Sequence, residues 1–324
     1  MNYVFLMDPL ENVIAEKDTS LALMVGAHHK GHKVYFLPSN GIVRKNNKLH
    51  FHVREVTPQY KRNEPFIDHG ATVLVQDDVH VIFVRTDPPF GERYLHNTWL
   101  LDLLPEHIPV INAVNGIRTA NEKIWATQFT SIIPKTVIGS QREELHEFVK
   151  AEKDVIAKPT DSFGGQSIFH IKGHECNTNV ILETLTENWT RDIIVQRYIP
   201  EAQQGDKRIL ILDGEPLGAV LRLHSDDDHR NNFYSGGKPL SIDITKRDLE
   251  IIDHLRPELK KLGLYFVGID IIGDYLIEVN VTSPTCLQEM NKLYHCHLEN
   301  DVINFSEKLV DQLAANNRIA LWGE

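Results

Sequence analysis

Residues 267–286 read Val-Gly-Ile-Asp-Ile-Ile-Gly-Asp-Tyr-Leu-Ile-Glu-Val-Asn-Val-Thr-Ser-Pro-Thr-Cys, and three of them can hold a hard cation. Asp270 interrupts an apolar strand, and Glu278 and Asn280 do the same after a turn at Gly273-Asp274. Side chains alternate along a strand, so Glu278 and Asn280 share a face. Two ionised carboxylates and an amide oxygen converging there suit magnesium bridging phosphate oxygens. Burying both carboxylates together without a cation would be costly. Register decides whether they converge. A strict two-residue turn opposes Ile269 to Glu278 and sends Asp270 to the other face, whereas a three-residue turn or a bulge opposes Asp270 to Glu278. The odd connection is the one predicted. A polar-faced hairpin with solvated carboxylates is the competing reading of these residues.

A second element ends a strand with Lys158 and follows it with a loop containing Gly164 and Gly165. Such a loop can lay backbone N–H groups against phosphate oxygens, with the lysine as a point charge. No helix opening with Gly-Lys-Ser/Thr follows, so this is not a P-loop, and by itself a Gly-Gly hairpin turn explains it as well. Arg208 in Asp206-Lys207-Arg208 precedes an apolar strand, Arg222 precedes an acidic loop over 225–238, and Arg230 lies within that loop. Arginines at loop margins can clamp carboxylate or phosphate bidentately. A loop of this length is more often a lid or a binding loop, although ordinary surface charges fit the same pattern. Lys123, in Asn121-Glu122-Lys123, can either reach a phosphate or sit on a helix surface.

These residues need a scaffold. At 324 residues the chain exceeds one average domain, and two or three packed units are expected. Its 42% hydrophobic and 24% charged residues are ordinary for a globular protein. A net charge of −11 disfavours nucleic acid or an anionic membrane as partner, while leaving room for a local basic pocket. No apolar run is long enough to span a bilayer, and the first apolar stretch stops at Asp8-Pro9 with no basic n-region before it. Cys176, Cys286 and Cys296 are too few and too irregular for a disulfide framework, and His295-Cys296-His297 lacks a second ligand pair for zinc. These features favour the cytoplasm.

In the first third, residues 3–7, 33–37, 79–84 and 109–112 read as strands. A helix capped by Asp18-Thr19-Ser20 and closed by Gly31 lies between the first two, and another covers 99–104. This alternation predicts a mostly parallel, Rossmann-like unit, although no dinucleotide fingerprint follows the first strand. From about residue 121 the pattern turns to hairpins, with strands over 155–158, 166–171, 193–198, 208–212 and 216–223. An amphipathic helix over 302–315 closes the chain.

Taken in order, these segments resemble the ATP-grasp superfamily, and within it bacterial glutathione synthetase along almost the whole chain. The resemblance is carried by Met7-Asp8-Pro9, Lys17-Asp18-Thr19-Ser20 and Arg85-Thr86-Asp87-Pro88-Pro89-Phe90 near the start. Asn121-Glu122-Lys123, Lys158-Pro159, Gly164-Gly165, Gly205-Asp206-Lys207-Arg208 and Asp213-Gly214-Glu215-Pro216 follow, and residues 267–286 are the most specific. The implied architecture is an N-terminal Rossmann-like substrate domain (1–120), a small ATP-grasp subdomain with the glycine-rich loop (121–200), and a C-terminal subdomain with lid and metal site (201–324). ATP would lie between two antiparallel layers, with Lys123, Lys158, Gly164 and Gly165 at its phosphates, Gln196-Arg197-Tyr198-Ile199 at adenine and Asp206 at ribose. Asp270, Glu278 and Asn280 would hold magnesium, or manganese in its place. Arg208, Arg222 and Arg230 would serve phosphoryl transfer, residues 222–237 the mobile lid, and Arg85, Ser283 and Thr285 the substrate.

The reaction implied is ligation of glycine to the cysteinyl carboxylate of γ-glutamylcysteine through an acyl phosphate, by a homotetramer or dimer. Two departures from the family pattern bear on substrate identity: Arg230-Asn231-Asn232 stands where Arg-Gly-Asn is usual, and Gln288 where an arginine is frequent. Other ATP-grasp ligases, such as D-alanine–D-alanine ligase or ribosomal-protein glutamate ligases, are the competing reading within the superfamily. A non-catalytic nucleotide-binding protein of the synapsin kind is the competing reading outside enzymes.

Overall fold

The computed structural model describes residues 1–161, 165–173, 176–223 and 238–322, with backbone alone for 318–322. The first unit contains β1 (Asn2–Leu6), α1 (Thr19–His29), β2 (Lys33–Leu37), β3 (Ile42–Lys45), β4 (Lys48–Pro58) and β5 (Phe66–Val75). It continues with β6 (Val81–Val84), α2 (Glu92–Leu101), β7 (Val110–Ile111) and α3 (Val114–Thr119). Strands β2, β1, β6 and β7 are parallel neighbours, as the strand–helix alternation predicts. β1 is apolar and buried on both faces because helices cover the sheet.

The sequence reading did not identify the antiparallel extension of this sheet. β4 pairs antiparallel with β2, β3 and β5. β5 is exposed from Ile67 to Val73, so no apolar alternation marks it as a strand. Two boundaries also moved. α2 begins at Glu92, seven residues before the expected start, and ends at Leu101, because residues 102–104 form the turn ahead of Pro105. The helix expected over 302–315 runs from Leu298 to Trp322.

The middle sheet contains β8 (Thr136–Gly139), β9 (Asp154–Pro159), β10 (Phe169–Lys172) and β11 (Ile193–Arg197), ordered β10-β9-β11-β8 and antiparallel throughout. α4 (Arg142–Glu152) and α5 (Thr178–Leu185) supply Leu145, Val149, Leu182 and Leu185 to its core. β10 begins three residues later than the reading from 166 expects. Gly165 and Ser167 both hold positive φ, which breaks an extended run.

The third sheet orders β12 (Asp206–Leu212), β13 (Glu215–Leu223), β14 (Lys238–Leu240), β15 (Phe266–Ile272) and β16 (Tyr275–Asn280) as β14-β13-β12-β15-β16. α6 (Lys246–Lys261) packs beneath it through Ile251, Ile252, Leu255 and Leu259. Its N-terminus is fixed by a capping box of Thr245 and Asp248, and Asp248 also receives Lys207 Nζ at 2.6 Å. α7 (Leu287–Tyr294) and α8 (Leu298–Trp322) complete the chain.

The closing helix returns to the first unit. Val302 and Ile303 of α8 join the core formed by Leu23, Met24 and Phe83, and Tyr3 Oη shares a 2.9 Å hydrogen bond with Ser306. A second fastening is the buried Asn112, which follows β7. Its amide donates to Phe266 O and Val281 O, each at 2.8 Å, and its Oδ1 accepts from Phe266 N at 2.7 Å. One side chain thereby fixes β15 and the end of β16 against the first sheet.

Candidate active site

Strands β12, β13, β15 and β16 bring the chemistry-bearing residues of the third sheet together. Asp270 on β15 stands opposite Glu278 on β16, and Gly268 opposite Asn280. The turn itself spans two residues, Gly273 and Asp274, with Ile272 opposite Tyr275. A register shift immediately after Asp270 then restores the convergence, so the expected odd connection is a bulge in β16 and not a longer turn. Directly opposed residues hold their Cβ atoms about 5 Å apart, which brings the two carboxylates within reach of one ion.

Asp270 is buried and gripped by two arginines. Arg208, one strand over, donates through Nε and also through Nη2 at 2.9 Å; Arg222 Nη2 lies 2.9 Å from the same carboxylate. Burial alone would raise this carboxyl, but the two guanidiniums outweigh it and hold it well below the usual range. Arg222 also clamps Asp206 bidentately at 2.7 and 2.6 Å. The result is a buried alternation of Arg208, Asp270, Arg222 and Asp206, with each guanidinium set in direction by a carboxylate.

Glu278 receives Lys123 Nζ at 2.9 Å. Burial works against the Lys123 charge, but Glu278 and neighbouring acids raise its pKa overall. Lys123 is placed by the preceding Glu122. That residue's Oε1 accepts from Val281 N (2.9 Å), Thr282 N (3.1 Å) and Thr282 Oγ1 (2.8 Å), tying the segment to the chain beyond β16. Burial and the nearby Glu278 push the Glu122 carboxyl up. Lys158, at the end of β9, is 5% exposed, and burial followed by the Lys123 charge pushes it down to about 8. Its ammonium lacks solvation and a direct ion-pair partner among the described residues, the condition of a group awaiting an anion.

Gln196 and Arg197 lie on β11, with Tyr198 and Ile199 just beyond. Gln196 Nε2 donates to Thr136 Oγ1 at 2.8 Å, and Arg197 Nη2 reaches Tyr275 Oη at 3.0 Å, linking the middle and third sheets. Tyr198 stacks on His170 with ring centroids 4.0 Å apart. Gly165 forms a turn with φ +77°. Gly164, Arg230 and most of the segment expected to be a lid (224–237) lie outside the described residues.

A cavity of about 220 Å³ adjoins the arginines. Six of the expected residues line it: Arg85, Arg208, Arg222, Asn280, Ser283 and Thr285. Arg85, just after β6, is 4% exposed; it donates to Ser20 Oγ at 3.0 Å and to Pro284 O at 2.9 Å. Its Nη1 is buried with no hydrogen-bond partner among the described residues. Asp8, Asp18 and Glu289 also line it. Burial raises the carboxyls of all three. The sequence reading had Asp18 only as a helix cap, which it also is, accepting from Leu21 N at 2.7 Å. Glu289 gave no signal, being one of only two charges on α7 and part of no motif. Gln288 faces elsewhere: its Nε2 donates to Ala15 O (3.1 Å) and Asp18 O (2.6 Å), which fastens the loop before α1.

Three sheets arranged in this order, with two buried lysines beside a pair of carboxylates on facing strands, define an ATP-grasp ligase. Among solved structures the fold is similar to D-cycloserine synthetase DcsG, with a TM-score of 0.66 at 12% identity over 97% of this chain and 100% of that one. It is also similar to a RimK domain ATP-grasp protein from Sphaerobacter thermophilus, with a TM-score of 0.60 at 12% identity over 94% and 99%.

At the level of sequence, residues 1–118 match the prokaryotic glutathione synthetase N-terminal domain and residues 122–295 the prokaryotic glutathione synthetase ATP-grasp domain. Glutathione synthetase of a Nostoc species is 37% identical over 95% of this chain and 98% of its own length. That of Pseudomonas aeruginosa is 35% identical over 96% of each, and that of Escherichia coli K12 is 36% identical over 88% and 91%. The chain belongs to the prokaryotic glutathione synthetase family.

Proposed function

We infer that this chain uses ATP to join the cysteinyl carboxylate of γ-glutamylcysteine to the amine of glycine, giving glutathione, ADP and phosphate. The observation that carries the reading is the abutment of a three-arginine cavity on a face holding Lys123, Lys158, Asp270, Glu278 and Asn280. An anionic acid and an anionic phosphoryl group repel at contact distance, and cations on both sides offset that repulsion. Asp18 and Glu289 suit the ammonium of an amino-acid moiety, while Arg85 and Ser283 suit its carboxylate.

A carboxylate oxygen of the acid attacks the γ-phosphorus, and the bond to ADP breaks, leaving an acyl phosphate. The glycine nitrogen then attacks the acyl carbon, and the carbon–oxygen bond to phosphate breaks. Arg208 and Arg222 stand where charge grows during phosphoryl transfer, and Asp270 and Asp206 fix their direction. Lys123 and Lys158 take phosphate oxygens; no side-chain nucleophile is needed. The described helices include none long and apolar enough to cross a membrane. With three free cysteines, this supports a cytoplasmic site of action.

Asp270, Glu278 and Asn280 fit magnesium, or manganese, because all three offer hard oxygen donors on facing strands. Substrate phosphate oxygens or water would fill the remaining coordination positions. The cation, when bound, would supply charge neutralisation at the transferring phosphoryl group. We assign the substrate domain to 1–120 and the ATP-grasp subdomains to 121–200 and 201–324, a division the three sheets support, and expect a dimer or tetramer.

Phosphate release from ATP with magnesium and γ-glutamylcysteine, with and without glycine, tests the reading beside a Glu278→Gln variant. Release that needs glycine and falls by orders of magnitude in the variant is expected. Absence of release with that pair overturns the substrate assignment, and ATP binding without turnover on any acid and amine overturns the enzymatic one.

A further inference from the structure

The β15–β16 hairpin carries Asp270, Glu278 and Asn280, and its turn is held from outside at three consecutive residues. Gly273 turns with φ +55°, and a Cβ there would stand 3.3 Å from the Cβ, Cγ and Cδ of Glu201, so the Glu201 side chain lies against it. The carbonyl of Asp274 accepts from Arg247 Nε at 3.1 Å. Tyr275 Oη accepts from Arg197 Nη2 at 3.0 Å, and the same guanidinium lies 5.5 Å from the centre of the Tyr275 ring. Arg197 and Glu201 come from one short stretch. Arg197 is the last residue of β11, and Glu201 lies in the short 3-10 helix Pro200–Gln204 that leads out of the middle sheet.

Both partners of the Arg197–Tyr275 contact are firmly mounted. Arg197 stands opposite Val155 in the β9–β11 ladder, where Ile194 stands opposite Lys158, and its N–H donates to Lys135 O at 2.9 Å. Tyr275 opens β16 opposite Ile272, on the strand that carries Glu278. At about 3.3 Å per residue along a strand, the contact stands about 10 Å from the Glu278 backbone. Beyond burial, Lys158 responds to the charges of Glu278, Lys123 and Asp270, so it faces the hairpin. A displacement of β11 relative to Tyr275 therefore changes the spacing between Lys158 and the paired carboxylates. An ionised donor makes one of the stronger hydrogen bonds to a hydroxyl, and the aromatic ring adds attraction for the same cation.

We propose that Arg197 is a positioning residue for the phosphate end of the site: with Glu201 it clamps the turn of the β15–β16 hairpin to the end of β11, and so fixes the distance between Lys158 and the Asp270–Glu278 pair. Its guanidinium serves this link between sheets and not the base of the nucleotide, where the family resemblance alone would put it. The assignment rests on the ATP-grasp reading above and adds to it the contact that keeps the two sheets in step across the nucleotide cleft.

Calorimetric titration of magnesium–ADP into Arg197→Gln, Tyr275→Phe and the double variant tests this, beside steady-state KM values for ATP, γ-glutamylcysteine and glycine. Tyr275→Phe keeps the ring and removes only the hydroxyl, so the fold is spared. Loss of a partly exposed charged hydrogen bond predicts magnesium–ADP binding weakened roughly 3- to 10-fold in each single variant. The double variant should bind no worse than the poorer single one, because both changes break one link. The ATP KM should rise in parallel, with the other two KM values within about twofold of the unsubstituted protein. A base contact gives a different pattern, in which Arg197→Gln weakens binding and Tyr275→Phe does not. That pattern, additive losses in the double variant, or an equal rise in all three KM values overturns the proposal. The titrations contain neither acid nor amine, so a wrong choice of acid or amine leaves their result intact. Failure of the unsubstituted protein to bind magnesium–ADP defeats the nucleotide site and the proposal together, whereas binding that Tyr275→Phe leaves unchanged defeats only the link.

Discussion

Replacing Lys158 with methionine should stabilise the nucleotide-free protein while abolishing its use of ATP. Burial pushes this lysine from 10.5 to about 8. At 1.36 kcal/mol per unit, holding its charge in the folded state costs about 3 kcal/mol at neutral pH. Because the folded pKa lies below the unfolded one, the cost is fully present below about 8 and fades as pH rises toward 10.5. Methionine fills a similar volume without the charge, so thermal denaturation without nucleotide should give a higher midpoint for Lys158→Met at pH 7. The gap should narrow steadily from pH 8 to 10. With ATP and magnesium the order should reverse, since only the native lysine gains a phosphate partner. A midpoint that falls in the variant at pH 7, or a gap that does not change with pH, would refute the claim that Lys158 is held charged against burial.

Three further substitutions probe the scaffold. Asn112→Ala leaves Phe266 N, Phe266 O and Val281 O without partners and should cost several kcal/mol in urea denaturation, at about 1–3 for each buried group left unpaired; a loss below about 1 kcal/mol would contradict that role. Gly268→Ala places a Cβ 3.1 Å from Pro284 Cβ and 3.2 Å from Arg208 Cδ, and Arg208 cannot yield without loosening its grip on Asp270. Its kcat should drop several-fold with a small change in midpoint; unchanged kcat would show that the clamp adjusts freely. Gln288→Ala frees the loop at Ala15 and Asp18 and should raise the KM for γ-glutamylcysteine while leaving that for ATP alone, measured in the same phosphate-release assay.

Much of the site was legible because its residues are local in sequence. Asp270, Glu278 and Asn280 sit on one hairpin, so strand alternation and an odd connection already predicted their convergence, and the cost of burying two carboxylates argued for a cation between them. The parallel core of the first sheet was legible for a similar reason, since β1, β2 and β6 are short apolar runs covered on both faces. β5 was not, because a strand exposed on both sides carries no apolar period to read. Gln288, whose departure from the family pattern cast doubt on the substrate, proves to be a loop fastener.

What the sequence determined by itself was the family, the order of its elements and the residue types that chemistry at a phosphate requires. The tertiary structure decided which charges meet. Arg208 and Asp270 are 62 positions apart, Lys123 and Glu278 are 155, and Arg85 meets Pro284 across 199. No local pattern encodes such pairings, because strand order and helix docking set them, and burial then fixes their strength. The depressed Lys158 and the clamped Asp270 both arise at that level.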